Sequence, residues 1–123
     1  MESKKNITPE QQQELDDLFE KARKAQAIIE TYDQAKIDRL CQAVAWSVSN
    51  KKTFLKLVDM GIEESGLGDP VSRQGKRFKF RGVLRDALRE KSVGIIEEIP
   101  EKGIVKYAKP VGVIVSLVPT TNP

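Results

Sequence analysis

The run Val-Gly-Val-Ile-Val-Ser-Leu-Val at 111–118 constrains this chain more than any other stretch. It carries no charge, and its apolar residues do not alternate with polar ones. A strand with one wet face alternates, whereas a strand apolar on both faces belongs inside a parallel sheet covered by helices. Parallel strands are joined by crossovers of a dozen or more residues, usually helical. No second run of this kind occurs among the 123 residues, so the strand has no partner of its own type in the sequence. The expectation is that the β-α-β unit it announces needs residues after Pro123, and that the sequence reads as the opening of an enzyme domain.

What precedes the run is mostly helical. Thr8-Pro-Glu-Gln11 has the form of a helix start: a Thr cap, Pro at the first helical position and Gln three residues after the cap. Leu15, Leu18, Phe19, Ala22, Ala25 and Ile29 follow at helical spacing. Thr31-Tyr-Asp-Gln34 breaks that register and offers a second cap. Ile37, Leu40, Cys41, Val44 and Val48 make the next apolar stripe, which predicts Cys41 on a core face. Asn50 is the expected cap of a third helix carrying Phe54, Leu57, Val58 and Ile62, stopped by Gly66 and Gly68. Asp69-Pro70 restarts a helix with Phe78, Leu84 and Leu88 on its apolar positions, weakened at Gly75 and Gly82. From Ser92 the composition turns β-rich, and Pro100-Glu-Lys-Gly103 predicts the turn of a hairpin over 92–109. The predicted fold class is α/β: helices within 9–91, a hairpin, and the first strand, 111–118, of an incomplete domain.

Composition removes several chemistries. There is one cysteine and no histidine. Ser-His and Cys-His dyads, an internal disulfide and the common zinc sites are thereby excluded, and no metal is expected. A net charge of +3 is small for a nucleic-acid binder. No apolar run approaches the roughly 20 residues of a membrane span, and the polar N-terminus is unlike a signal peptide, so a cytoplasmic protein without a membrane partner is expected. Cys41, on a helix face with no histidine to activate it, reads as inert rather than nucleophilic.

Two stretches carry possible function. Between 73 and 91 stand Arg73, Lys76, Arg77, Lys79, Arg81, Arg85, Arg89 and Lys91, against Asp86 and Glu90. Three readings fit: a nucleic-acid helix, a holder of an anionic small molecule such as a nucleotide or coenzyme phosphate, or a solvated or subunit-facing surface, which is the commonest use of such a run. A small basic interaction module binding an acidic partner or nucleic acid is the rival function it supports. Gly66 and Gly68 follow no strand and make no dinucleotide fingerprint. The second stretch is Val118-Pro-Thr-Thr-Asn-Pro123, at the carboxyl end of the predicted strand, where open α/β sheets bind their ligands. The Asn122 amide can donate to an oxyanion, and Thr120, Thr121 and the turn backbone can line a cofactor. The plainer reading is a loop made by two prolines and an Asn, and spacing alone favours it.

Asp33-Gln34 with Ile37-Asp38, Glu63-Glu-Ser-Gly-Leu-Gly68, Gly94-Ile-Ile-Glu-Glu-Ile-Pro-Glu-Lys-Gly103 and Lys109-Pro-Val-Gly-Val-Ile-Val-Ser-Leu-Val-Pro-Thr-Thr-Asn-Pro123 together resemble the N-terminal region of the aldehyde dehydrogenase superfamily, in its coenzyme-A-acylating branch. The resemblance runs from about Ala25 onward. It implies an oxidoreductase that converts an aldehyde to its acyl-CoA, with NAD or NADP as cofactor and coenzyme A as co-substrate. It also implies a Rossmann-like cofactor domain, a catalytic domain with a cysteine nucleophile, and a hairpin used for homo-oligomerisation. Carried onto this sequence, Asn122 is the oxyanion-hole residue, Val118, Pro119, Thr120 and Thr121 line the cofactor, and 92–109 is the oligomerisation arm. Neither nucleic acid nor membrane is implied as a partner. Asp69-Pro70 and Lys76-Arg77 stand where other acylating members more often carry Asp-Lys and Lys-Asn, which disfavours ethanal- or propanal-type substrates. The first helix reads as an ordinary amphipathic helix, with an encapsulation-type tag as the minority reading. The family's catalytic cysteine, general base and most of its cofactor site fall beyond Pro123, and Cys41 is not in a matching position. The 123 residues alone are therefore expected to be inactive.

Overall fold

The computed structural model describes residues 7–119. Five helices come first: α1 (Pro9–Ile29), α2 (Gln34–Ser49), α3 (Lys51–Ser65), α4 (Pro70–Gly75) and α5 (Arg77–Ala87). Two strands follow, β1 (Gly94–Ile99) and β2 (Ile104–Ala108), joined through a short 3₁₀ turn at Pro100–Lys102. The chain divides into two units, one of residues through Tyr32 with Pro110–Ile114, the other of Asp33–Lys109 with the residues from Val115 onward.

In the first unit α1 is built from its own sequence. The Thr8 hydroxyl accepts from the Gln11 N–H at 3.3 Å, and the Gln11 side chain accepts from the Thr8 N–H at 3.0 Å. This reciprocal box satisfies two donors that a helix start otherwise leaves orphaned. Pairs one turn apart, Gln12 to Asp16, Gln13 to Asp17 and Lys24 to Glu20, lace the exposed surface. No residue of α1 is buried, and Leu15, Leu18 and Phe19 are exposed. The predicted apolar stripe is present in register, with Ala22 and Ile29 half-covered and the rest exposed among the described residues.

In the second unit the caps follow the sequence closely. Asp33 accepts from the Lys36 N–H at 2.8 Å and starts α2. Asn50 both ends α2 and starts α3: its amide nitrogen donates to the Trp46 and Ser47 carbonyls, and its amide oxygen accepts from the Thr53 N–H at 3.0 Å. One side chain thus serves orphan carbonyls of one helix and an orphan N–H of the next. The small core lies on α3, where Phe54 and Val58 are buried. Phe54 meets Phe80 of α5 edge to face, with ring centroids 5.9 Å apart. Helix α3 stops at Gly66 in the left-handed conformation. Asp69 then accepts from the Ser72 N–H at 2.7 Å and, with Pro70, starts α4. The helix expected to run on from Asp69-Pro70 is broken at Gly75 and Lys76 into α4 and α5, while Gly82 stays within α5.

The hairpin is antiparallel, pairing Gly94 with Ala108, Ile95 with Tyr107 and Ile99 with Ile104. Ile96 has no opposite residue, since the register passes from Ile95/Tyr107 to Glu97/Lys106, which makes a one-residue bulge. Gln34, the first residue of α2, holds the base of the hairpin: its side-chain oxygen accepts from the Ser92 N–H at 2.8 Å and the Val93 N–H at 3.1 Å. Its amide nitrogen donates to Asp38 at 2.7 Å and to the Ser92 hydroxyl at 3.0 Å.

Residues 109–119 form neither helix nor paired strand; the stretch 111–118, expected to be a strand with no partner of its own type in the sequence, is unpaired among the described residues. A strand exists only against a partner, and the only sheet among the described residues is the β1–β2 pair. Cys41 is exposed rather than on a core face. The α2 stripe predicted to be buried is only partly covered, with Leu40 and Val44 also exposed.

Candidate functional site

The described residues build a concavity between α2 and α5. On α2, Gln42, Trp46 and Ser49 recur at i, i+4 and i+7, which places them on one face; on α5, Arg77, Arg81 and Leu84 do the same. With Phe78 these residues line a cavity of about 460 Å³. Arg77 is positioned by the end of α2, where its Nε donates to the Ser49 carbonyl at 2.6 Å. A cation there meets carbonyls that lack helical partners and the negative end of the helix dipole. Trp46 and Phe78 keep 66% and 69% of their surface exposed, so both rings are open to a ligand.

The basic stretch does not present one continuous charged face. Arg73 turns inward and is only 7% exposed, lying over Gly68. Arg77 is engaged with α2. Arg85 and Arg89 both pair with Asp86, at 3.2 and 3.8 Å. Arg81 makes no hydrogen bond or ion pair among the described residues. Sequence reading picked out this stretch but missed Trp46 and the inward turn of Arg73. The row Gln42/Trp46/Ser49 was visible as a spacing; that it faces Arg77 and Arg81 depends on helix pairing, which spacing does not encode.

A second cavity, of about 440 Å³, lies in the other unit, lined by Phe19, Arg23, Gln26, Ala27 and Glu30 of α1 and its continuation, with Gly112 and Val113. Two carboxyls have lowered pKa values, and neither lies in a cavity wall. Asp69 is held below its ordinary value by the Ser72 backbone N–H and then by the Ser72 side chain, with a smaller contribution from the Val71 N–H. Glu10 is lowered by a backbone N–H bond and by Thr8. Both are helix-start effects. Among the described residues no three His, Cys, Asp or Glu side chains gather to hold a metal.

Of the residues expected to serve the aldehyde chemistry, Val118 is 68% exposed and Pro119 is also exposed. Thr120, Thr121 and Asn122 lie outside the described residues. No described helix is long and apolar enough to cross a membrane.

Comparison with known proteins defines the class first. The chain matches the N-terminal quarter of acylating aldehyde dehydrogenases. Among these relatives, it is 46% identical over 110 residues to the acylating sulfoacetaldehyde dehydrogenase of Bilophila wadsworthia, covering 89% of the chain and 24% of that protein. To the sulfoacetaldehyde dehydrogenase of an Acholeplasma species it is 48% identical over 106 residues, covering 85% of the chain and 22% of that protein. The acetylating succinate-semialdehyde dehydrogenase of Clostridium kluyveri is 35% identical over 111 residues, again 89% of the chain and 24% of the relative. The chain thus spans about a quarter of the length of these curated relatives. No family model matches the chain, and no solved structure does.

Proposed function

We propose that these residues form the N-terminal part of a coenzyme-A-acylating aldehyde dehydrogenase that oxidises sulfoacetaldehyde to its acyl-CoA. The observation that carries this reading is the 46–48% identity to two sulfoacetaldehyde dehydrogenases across nearly the whole chain; a third sulfoacetaldehyde dehydrogenase and the succinate-semialdehyde enzyme both stand at 35%. In this reading NAD or NADP is the oxidant, coenzyme A accepts the acyl group, and the nucleophile and base come from residues other than these 123. The Asn122 side-chain amide donates to the oxyanion formed on the aldehyde oxygen, a preorganised donor of the kind that contributes most to acyl transfer. Val118, Pro119, Thr120 and Thr121 line the cofactor at the end of strand 111–118, the first of a Rossmann-like sheet whose other strands lie elsewhere in the protein. The hairpin of β1 and β2 is the arm through which subunits associate, since among the described residues its outer edges pair with no further strand. The enzyme is cytoplasmic.

The test is an assay of the protein extended to the length of its relatives. With sulfoacetaldehyde, NAD(P) and coenzyme A, reduced cofactor and acyl-CoA are expected together, and omission of coenzyme A should abolish the thioester product. Turnover of aldehyde to free acid, indifferent to coenzyme A, would contradict the reading. The 123 residues alone are expected to show no turnover, since Cys41 is their sole cysteine and is not placed as the nucleophile.

A further inference from the structure

We propose that, given the reading of β1 and β2 as the arm through which subunits meet, the Gln34 side chain is the latch that sets the arm's direction, and that subunit association depends on it. The root of the arm is held by long-range bonds rather than by a sheet. The only sheet among the described residues is the β1–β2 pair, so no ladder ties the hairpin to the helices. Instead, the side-chain oxygen of the first residue of α2 accepts from the Ser92 N–H at 2.8 Å and the Val93 N–H at 3.1 Å. Two N–H groups on one carbonyl oxygen occupy both of its lone pairs. Ser92 and Val93 are the last residues before β1 begins at Gly94.

The geometry selects an amide at this position. An amide has a donor end and an acceptor end, and a half-turn exchanges them. The Gln34 nitrogen donates to Asp38, one turn further along α2, at 2.7 Å. A carboxylate can only accept, so Asp38 fixes which end of the amide faces the hairpin. Asp33, one residue earlier, caps α2 through the Lys36 N–H and holds the backbone from which Gln34 projects. Beyond the latch stands Gly94, at φ 76°, where a Cβ would meet nothing within 4 Å. A glycine in the left-handed region with open space around it is a pivot. Because β1 and β2 pair with each other, rotation ahead of Gly94 redirects both strands together. Without the latch the arm samples many directions, and association then carries the entropy cost of fixing one.

The test is the concentration dependence of subunit assembly, followed by analytical ultracentrifugation, in the protein extended to the length of its relatives. Gln34→Ala is expected to weaken association about tenfold, the effect of two lost hydrogen bonds. Asp38→Ala, which frees the amide to turn over, should weaken it by less. Asp33→Ala is the control: it removes the neighbouring α2 cap and destabilises the helix comparably but keeps the latch, so its assembly should match the parent. A further version, with 95–107 replaced by a short Gly-Ser linker, asks whether the arm is the interface at all. If that version assembles like the parent, the arm reading fails and the latch with it. If it dissociates while Gln34→Ala assembles as the parent does, the latch is overturned and the arm reading stands. Equal losses in Gln34→Ala and Asp33→Ala overturn the latch in the same way. Should Gln34→Ala not fold, Asp38→Ala decides, and unchanged assembly there overturns the proposal.

Discussion

At the scale of single residues, this chain is governed by its helix ends. Gly66 and Gly68 both have positive φ, at 63° and 98°, yet they differ in surroundings. A Cβ at Gly66 meets nothing within 4 Å, whereas one at Gly68 would lie 2.1 Å from Arg73 Nε. Gly66→Ala should cost about 1 kcal/mol, for the left-handed backbone alone. Gly68→Ala should cost roughly 2–3 kcal/mol, because a buried Arg73 must also be displaced. Urea unfolding of both variants checks this, and equal losses would show that Arg73 moves freely. Asp69 gives a pH prediction. Its pKa is lowered in the folded state by the Ser72 N–H, so its stabilising contribution is present above the ordinary Asp pKa and is lost as pH falls through the depressed folded value. Asp69→Asn keeps a capping side chain and removes the titration; amide exchange at Ser72 should then cease to rise at acid pH. The caps at Thr8, Asp33, Asn50 and Asp69 were legible because a cap is settled within four residues. The burial of Arg73 was not, since it depends on how the chain turns back over Gly68.

At the scale of elements, the decisive link is Gln34. It joins the first turn of α2 to the base of the hairpin, 58 and 59 residues away in sequence, through the Ser92 and Val93 N–H groups. Gln34→Ala removes both acceptors and should destabilise the second unit by about 1–2 kcal/mol. Faster hydrogen exchange at Ser92 and Val93, with α1 unchanged, is the expected signature; uniform loss of protection would show a global effect instead. The hairpin itself was legible from its β-rich flanks and the Pro-Glu-Lys-Gly turn. The bulge at Ile96 was not, because no Gly or Pro marks it. Nor was the α2–α5 groove, whose two rows of residues acquire meaning only when the helices lie side by side.

At the scale of the whole molecule, apolar residues exceed the burial found for them. Phe54 and Val58 are the only buried hydrophobic residues among those described, while Val111, Leu117 and Val118 are 85%, 92% and 68% exposed. A run apolar on both faces reads as a demand for burial, but a demand does not specify what meets it. Its sequence partners in the relatives lie within proteins about four times as long as the matched segment. The most direct measurement is therefore a chimera: the Acholeplasma sulfoacetaldehyde dehydrogenase with its matching N-terminal quarter replaced by this chain. Its CoA-dependent reduction of NAD(P) with sulfoacetaldehyde would be compared with that of the parent, alongside an Asn122→Ala version. Retained activity is expected, with kcat lowered about 10²–10³-fold by the Asn122 change. A folded, assembled chimera with no CoA-dependent turnover, or one indifferent to Asn122, would contradict the assignment.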